Sequence, residues 1–263
     1  MASREEARGV ARRLHGLAGG QELVRKAAAR ELARRDPVDA NELVGELVAL
    51  ARAGDEPSSC VLRAFVQALE FEADSIPHAQ ELARLAAVQS LYTVAALFPG
   101  GAPRLQQHPE AARRADAVNF SESLGHQKTK ARNSRDPDEL SRYAMNSNPL
   151  VMRNLLLNPR LTEPLVVRIA SRRPARPEAL LELWRSPRWA SRHSVRRALV
   201  FNPYVPPDVA AKIVPLLNGA DLQELASDTS AHPALRDQAK LLLVEGRPRV
   251  QAVDLEEDPS AIN

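Results

Sequence analysis

The sequence predicts an all-α protein, with an N-terminal helical region followed by a stacked array of short helices. Three observations carry that expectation. The segment Asn158-Pro159-Arg160-Leu161-Thr162-Glu163-Pro164 is matched 44 residues later by Asn202-Pro203-Tyr204-Val205-Pro206-Pro207. Behind each turn comes a matched helix, in which Leu165, Val166, Arg168 and Ile169 align with Val209, Ala210, Lys212 and Ile213. In front of each, Val151, Arg153, Leu155 and Leu156 align with Val195, Arg197, Leu199 and Val200. Self-similarity at this period marks helical-repeat architectures. The composition agrees: 44% of the residues are hydrophobic but only 4% aromatic, and no stretch alternates as a strand does.

The N-terminal region, residues 1–119, reads as amphipathic helices at 4–18, 21–35, 38–53 and 58–72. Asp36-Pro37 and Glu56-Pro57 separate them, because Pro suits a first helical turn and pushes its predecessor out of helical geometry. Residues 77–98 are apolar on nearly every side and are expected as one central helix, ended by Phe98-Pro99-Gly100-Gly101. Residues 120–135 carry no clear periodicity and are expected as a basic linker. From 136 to 246 the helices shorten, and eleven of the chain's 20 prolines fall between Pro137 and Pro215. Helices are expected at 138–146, 149–157, 163–172, 177–185, 190–200, 207–217, 220–227 and 233–245, with Asn148, Asn158 and Asn202 as caps. Pro215 should loosen the last turn of its helix. Residues 247–263, with the run Asp254-Leu255-Glu256-Glu257-Asp258, are expected to form a disordered acidic tail.

The Asn-Pro-x-x-Thr/Pro turns, each followed by a Leu/Val-rich helix, resemble the leucine-rich-repeat-variant family and, more broadly, HEAT-like α-solenoids. The resemblance covers about 136–245. It implies a helical solenoid with an extended surface for a partner. The iron–sulfur cluster associated with the variant family does not carry over, since Cys60 is the only cysteine. HEAT-like DNA glycosylases use tryptophan, arginine and aspartate on a concave face. Here Trp184 and Trp189 lie among arginines without a suitably placed Asp, so that activity is not transferred.

The net charge of +3 is unevenly distributed. Residues 120–200 hold 16 Lys/Arg against 7 Asp/Glu, whereas 1–119 hold 15 against 16 and 201–263 hold 5 against 10. A local basic surface follows. Arg188, Arg192 and Arg196 are spaced four apart, as are Arg168 and Arg172, with Arg173 and Arg176 just after. Four-residue spacing puts side chains on one helix face. A second basic group is Lys128, Lys130 and Arg132. These ten residues form the candidate site for an acidic protein surface or nucleic-acid phosphates. The alternative is a solvated face balanced by Glu163, Glu178 and Glu182. Trp184 and Trp189 are open to two roles, stacking on a ligand or packing in the core.

The six histidines show no metal-ligand spacing, and no phosphate-loop or nucleophile-elbow motif is present. No catalytic, cofactor or metal residue is assigned, and no small-molecule substrate. The N-terminus has no apolar signal core, and residues 82–98 are too short and too polar to span a bilayer. The expected function is that of a non-enzymatic, cytoplasmic scaffold or adaptor binding a protein with an acidic surface. The alternative is a HEAT-like nucleic-acid-binding protein, related to DNA repair.

Overall fold

A computed structural model describes residues 3–17, 20–108, 110–111, 114, 116 and 120–245; the expected acidic tail lies outside them. Among the described residues there are sixteen α-helices, two short 3-10 turns and no strand. None of the helices is long and apolar enough to cross a membrane.

The first four helices are α1 (Arg4–His15), α2 (Gly20–Ala33), α3 (Pro37–Arg52) and α4 (Glu56–Phe71). Asp36 caps α3 by accepting hydrogen bonds from Val38 N and Asp39 N, and Asp55 caps α4 by accepting one from Ser58 N at 3.0 Å. Pro37 and Pro57 sit in the first turns, where a missing N–H costs nothing. Helix α4 is the hub. It packs against α1, α2 and α3, and Val61, Leu62, Phe65, Val66 and Ala68 are buried along it.

The single helix expected at 77–98 is two: α5 (Ala79–Val88) and α6 (Tyr92–Ala95). Ser90, at φ 59°, takes the left-handed conformation that ends helices. Leu91 N bonds to Ala86 O and Ser90 N to Ala87 O, which closes the end of α5 as a Schellman turn. Gly54, at φ 87°, ends α3 in the same way, with Asp55 N on Leu50 O. The apolar pattern runs through the break because both helices face the same interior.

The expected linker contains a helix, α7 (Leu124–Asn133), capped by Ser123. There follow α8 (Pro137–Tyr143), α9 (Pro149–Leu156), α10 (Glu163–Ala170), α11 (Pro177–Arg185), α12 (Pro187–Ala190), α13 (His193–Val200), α14 (Pro207–Ile213), α15 (Gly219–Ser227) and α16 (Pro233–Glu245). The helix expected at 190–200 is α13, which starts three residues later, and the separate one-turn helix α12 precedes it. The loosening expected at Pro215 is present as a 3-10 turn, Val214–Leu216.

Asn148 is an N-cap, accepting from Leu150 N at 2.9 Å. Asn158 and Asn202 are not: the caps of α10 and α14 are Thr162 and Pro206. Each of these two asparagines is buried and does something else. Asn158 Nδ2 donates to Ala131 O and Ser134 O while its Oδ1 accepts from Arg160 N. Asn202 Nδ2 donates to Ala170 O and Arg172 O while its Oδ1 accepts from Tyr204 N. The side chain pins its own turn to the spent end of an earlier helix, whose last carbonyls have no intrahelical donor.

One hydrophobic interior runs from Ala7 on α1 to Leu242 on α16, across the boundary expected at 120–135. Helix α14 packs on α4, and α16 packs on α6, α14 and α15. Polar ties cross the same seam. Gln67 Nε2 donates to Trp184 O at 2.7 Å, and Lys212 Nζ meets Glu70 Oε2 at 2.7 Å.

Candidate functional site

Seven of the ten basic residues expected at a binding face are engaged within the chain. Four of them satisfy carbonyl oxygens. Arg172 donates to Ala144 O and Met145 O at the end of α8. Arg188 bridges Asn158 O and Leu161 O, both at 3.1 Å, and lies over the Trp189 ring. Arg196 bridges Ala190 O and Ser191 O, and Arg173 reaches Phe201 O at 2.7 Å. These oxygens sit at helix ends and turns, and a planar guanidinium can hold two at once, which an ammonium cannot do with fixed geometry. The remaining three are paired with carboxylates. Arg176 pairs with Glu178, Arg192 with Glu163, and Lys130 with both Glu122 and Glu139. Hydrogen bonds from Arg142 and then Lys130, with their charges adding, hold the Glu122 carboxyl below its usual range, and the hydrogen bond to Glu122 in turn raises Lys130.

The row Arg188, Arg192 and Arg196 is therefore not an open strip. Arg188 and Arg196 turn back onto the backbone, and burial depresses Arg196 to about 10, with the nearby Arg63 charge adding to the effect. Arg168, Lys128 and Arg132 have no side-chain hydrogen bond or ion pair among the described residues, and Arg168 and Arg132 are exposed. The two tryptophans are buried, at 0% and 2% exposure, with Trp189 Nε1 bonded to Leu156 O. They pack the core and offer no ring to a ligand.

Arg168 is joined by two arginines outside the ten expected residues, Arg135 at the end of the basic 124–135 stretch and Arg160. Arg135, Arg160 and Arg168 line a surface groove of about 560 Å³. The start of α8 supplies Pro137 and Leu140, and the start of α10 supplies Thr162, Pro164 and Leu165. No carboxylate, imidazole or thiol lines it. All three arginines are exposed and, among the described residues, none has a carboxylate partner. A cationic rim over an apolar floor suits an amphipathic acidic segment.

The matched turn shows what occupies the equivalent face elsewhere in the chain. Lys212 holds the position on α14 that Arg168 holds on α10, yet Lys212 is only 5% exposed. Helix α4 lies over it, and Glu70 of α4 closes the ion pair. Val209, counterpart of Leu165, is buried, whereas Leu165 is half-buried. Tyr204, counterpart of Arg160, packs against the core, whereas Arg160 is exposed. A comparison of the two turns in sequence would have found Arg160, as the charged residue standing where an aromatic stands in the copy.

Among the described residues no group of three or more His, Cys, Asp or Glu is placed to hold a metal ion. In comparisons with protein-family models, curated proteins and solved structures, nothing matches this chain.

Proposed function

We propose that this protein is a scaffold or adaptor without catalytic activity, which docks an acidic helical segment of a partner protein on the face of α10. The second half is read as a variant helical-repeat solenoid, with the two Asn-Pro turns as its repeat unit. In this reading each repeat presents a basic residue on the second helix of the unit. On α14 that residue is covered from within the chain. On α10 it is left for a partner.

The observation that carries the reading is the contrast between Lys212 and Arg168. The Lys212–Glu70 pair shows how an amphipathic helix with a carboxylate can lie on such a face. Arg135, Arg160 and Arg168, with Leu140 and Leu165 beneath them, supply the same chemistry without an occupant. Charge around the rim sets encounter and register, and the apolar floor supplies area. The nucleic-acid alternative is less well supported. Four of the eight expected arginines hold the chain's own backbone, two more pair with its carboxylates, and the tryptophans that would stack on bases are buried.

The test is a photo-crosslinking amino acid placed at Leu165 in the full chain, irradiated in native lysate, with the adducts sequenced. The proposal expects nuclease-insensitive adducts to protein segments that carry carboxylates on one helical face. Arg168→Glu should reduce them at least tenfold. Adducts to nucleic acid, or protein adducts indifferent to Arg168→Glu, would overturn it.

A further inference from the structure

A second cationic site lies at the seam between the N-terminal helices and the last third of the chain. Arg52 comes from the end of α3, Arg63 from the middle of α4 and Arg196 from α13. They line a cleft of about 540 Å³ together with Cys60, His193 and Gly219, the first residue of α15. No carboxylate lines the cleft. Each guanidinium makes some internal contact. Arg52 Nη1 donates to Leu217 O, Arg196 Nη1 donates to Ala190 O and Ser191 O, and Arg63 Nη2 reaches the Gln21 side-chain oxygen. None of these partners carries charge. Arg52 Nε and Arg196 Nε are buried and have no hydrogen-bond partner. Burial depresses all three guanidinium groups, and the charges of Arg63 and Arg196 oppose one another.

Three cations gathered in a recess from three separate helices, with donors left over, is an arrangement that a folded chain keeps at a cost unless an anion joins it. The nearby Asp221 carboxylate does not neutralise it, because its oxygens meet His193 Nε2 at 2.8 Å and Arg197 Nε at 3.0 Å. Planar guanidinium groups present paired donors that match tetrahedral oxyanions, and the first turn of α15 adds the positive end of a helix dipole. The cleft exceeds what one phosphate fills, and its remaining lining mixes the small polar groups of Ser59, Ser191 and Asn218 with Ala51, Leu216 and Leu217, with no Phe, Tyr or Trp ring. We propose that this cleft binds a phosphate dianion, either free or as the phosphoryl end of a small non-aromatic molecule. This site is separate from the α10 groove and goes beyond the scaffold reading.

Cys60 gives a direct readout, since it lines the cleft, is partly exposed and is the chain's only cysteine. The rate of its alkylation by a maleimide is measured against increasing inorganic phosphate, a sugar phosphate and, as a control, chloride at equal ionic strength. Saturable protection by phosphate at least fivefold beyond chloride supports free phosphate as ligand. Protection by the sugar phosphate at much lower concentration supports the organic source. Arg63→Gln, which keeps a donor for Gln21, and separately Arg52→Gln, should each weaken protection at least tenfold. Arg168→Glu in the α10 groove should leave it unchanged. Equal alkylation rates in all three solutions with the wild-type chain would overturn the proposal. So would protection that survives both cleft substitutions or disappears in Arg168→Glu.

Discussion

Replacing Asn202 tests the account of the repeated turns most directly. Its side chain is 2% exposed and makes three hydrogen bonds: to Ala170 O at 2.6 Å, to Arg172 O at 3.1 Å, and from Tyr204 N at 3.0 Å. Asn202→Ala removes all three and leaves two acceptors and a donor without a partner, Ala170 O in a buried place and the other two partly buried. Each orphaned group costs about 1–3 kcal/mol, and partial relaxation brings the expected loss to about 3–5 kcal/mol. Asn148 is an N-cap with one bond, so Asn148→Ala should cost only about 1 kcal/mol. The aspartate variants separate the two roles further. Asp caps a helix as well as Asn, so Asn148→Asp should be close to neutral. At position 202 the same change turns the donating amide into an oxygen facing two carbonyls, and Asn202→Asp should be at least as damaging as Asn202→Ala at pH 7. The assay is urea unfolding followed by circular dichroism and by fluorescence of the two buried tryptophans, accepted only where both transitions coincide. An Asn202→Ala loss of 1 kcal/mol or less, or an Asn202→Asp variant more stable than Asn202→Ala, would refute the pinning role.

Two further outcomes follow from local geometry. Ser90 is exposed and held at φ 59°, a conformation glycine adopts without strain, so Ser90→Gly should stabilise the chain by about 1 kcal/mol, read as a higher urea midpoint at unchanged slope. The Glu122 carboxyl is held below its usual 4.5 by Arg142 first and Lys130 second. Its folded value is depressed, so its contribution is complete above 4.5 and is lost as pH falls through the lower folded value. Glu122→Gln should therefore be less stable than the parent at pH 7, with the difference shrinking below pH 4.5, as measured by urea midpoints across pH 2.5–7; a constant difference would refute the assignment.

The helices were legible in the sequence wherever a cap and a proline coincide. Asp36-Pro37, Asp136-Pro137 and Asn148-Pro149 each start a helix with the side chain bonded into the first turn. Legibility failed where a break has no such punctuation. Ser90 ends α5 in a conformation that the residue type does not announce, and Ser191-Arg192 separate α12 from α13 with no proline between them. Helix α7 escaped notice because its apolar side is reduced to Ala131. The similarity of the two Asn-Pro turns was visible, but the work of the asparagines was not, since the carbonyls they hold lie 24–32 residues earlier in the chain.

The arginines mark where linear spacing stops being informative. Arg188, Arg192 and Arg196 are four apart and were expected to act together, yet one holds the Asn158 turn, one meets Glu163 and one lines a recess with two arginines from the other half of the chain. Spacing along a helix assigns a face, but not what covers that face. The chain uses 31 arginines against five lysines. A physical use is visible: Arg104, Arg172, Arg188 and Arg196 each bridge two backbone carbonyls, Arg188 through both terminal nitrogens of its fork and the others through Nη1. Short helices expose many spent carbonyls per residue, so an array of this kind consumes much of its positive charge internally. The arginines left without such work are the ones to test for a partner, and by that criterion Arg135, Arg160 and Arg168 stand out on the surface. Arg52, Arg63 and Arg196 stand out in the cleft, because their neutral partners leave the charge itself unanswered.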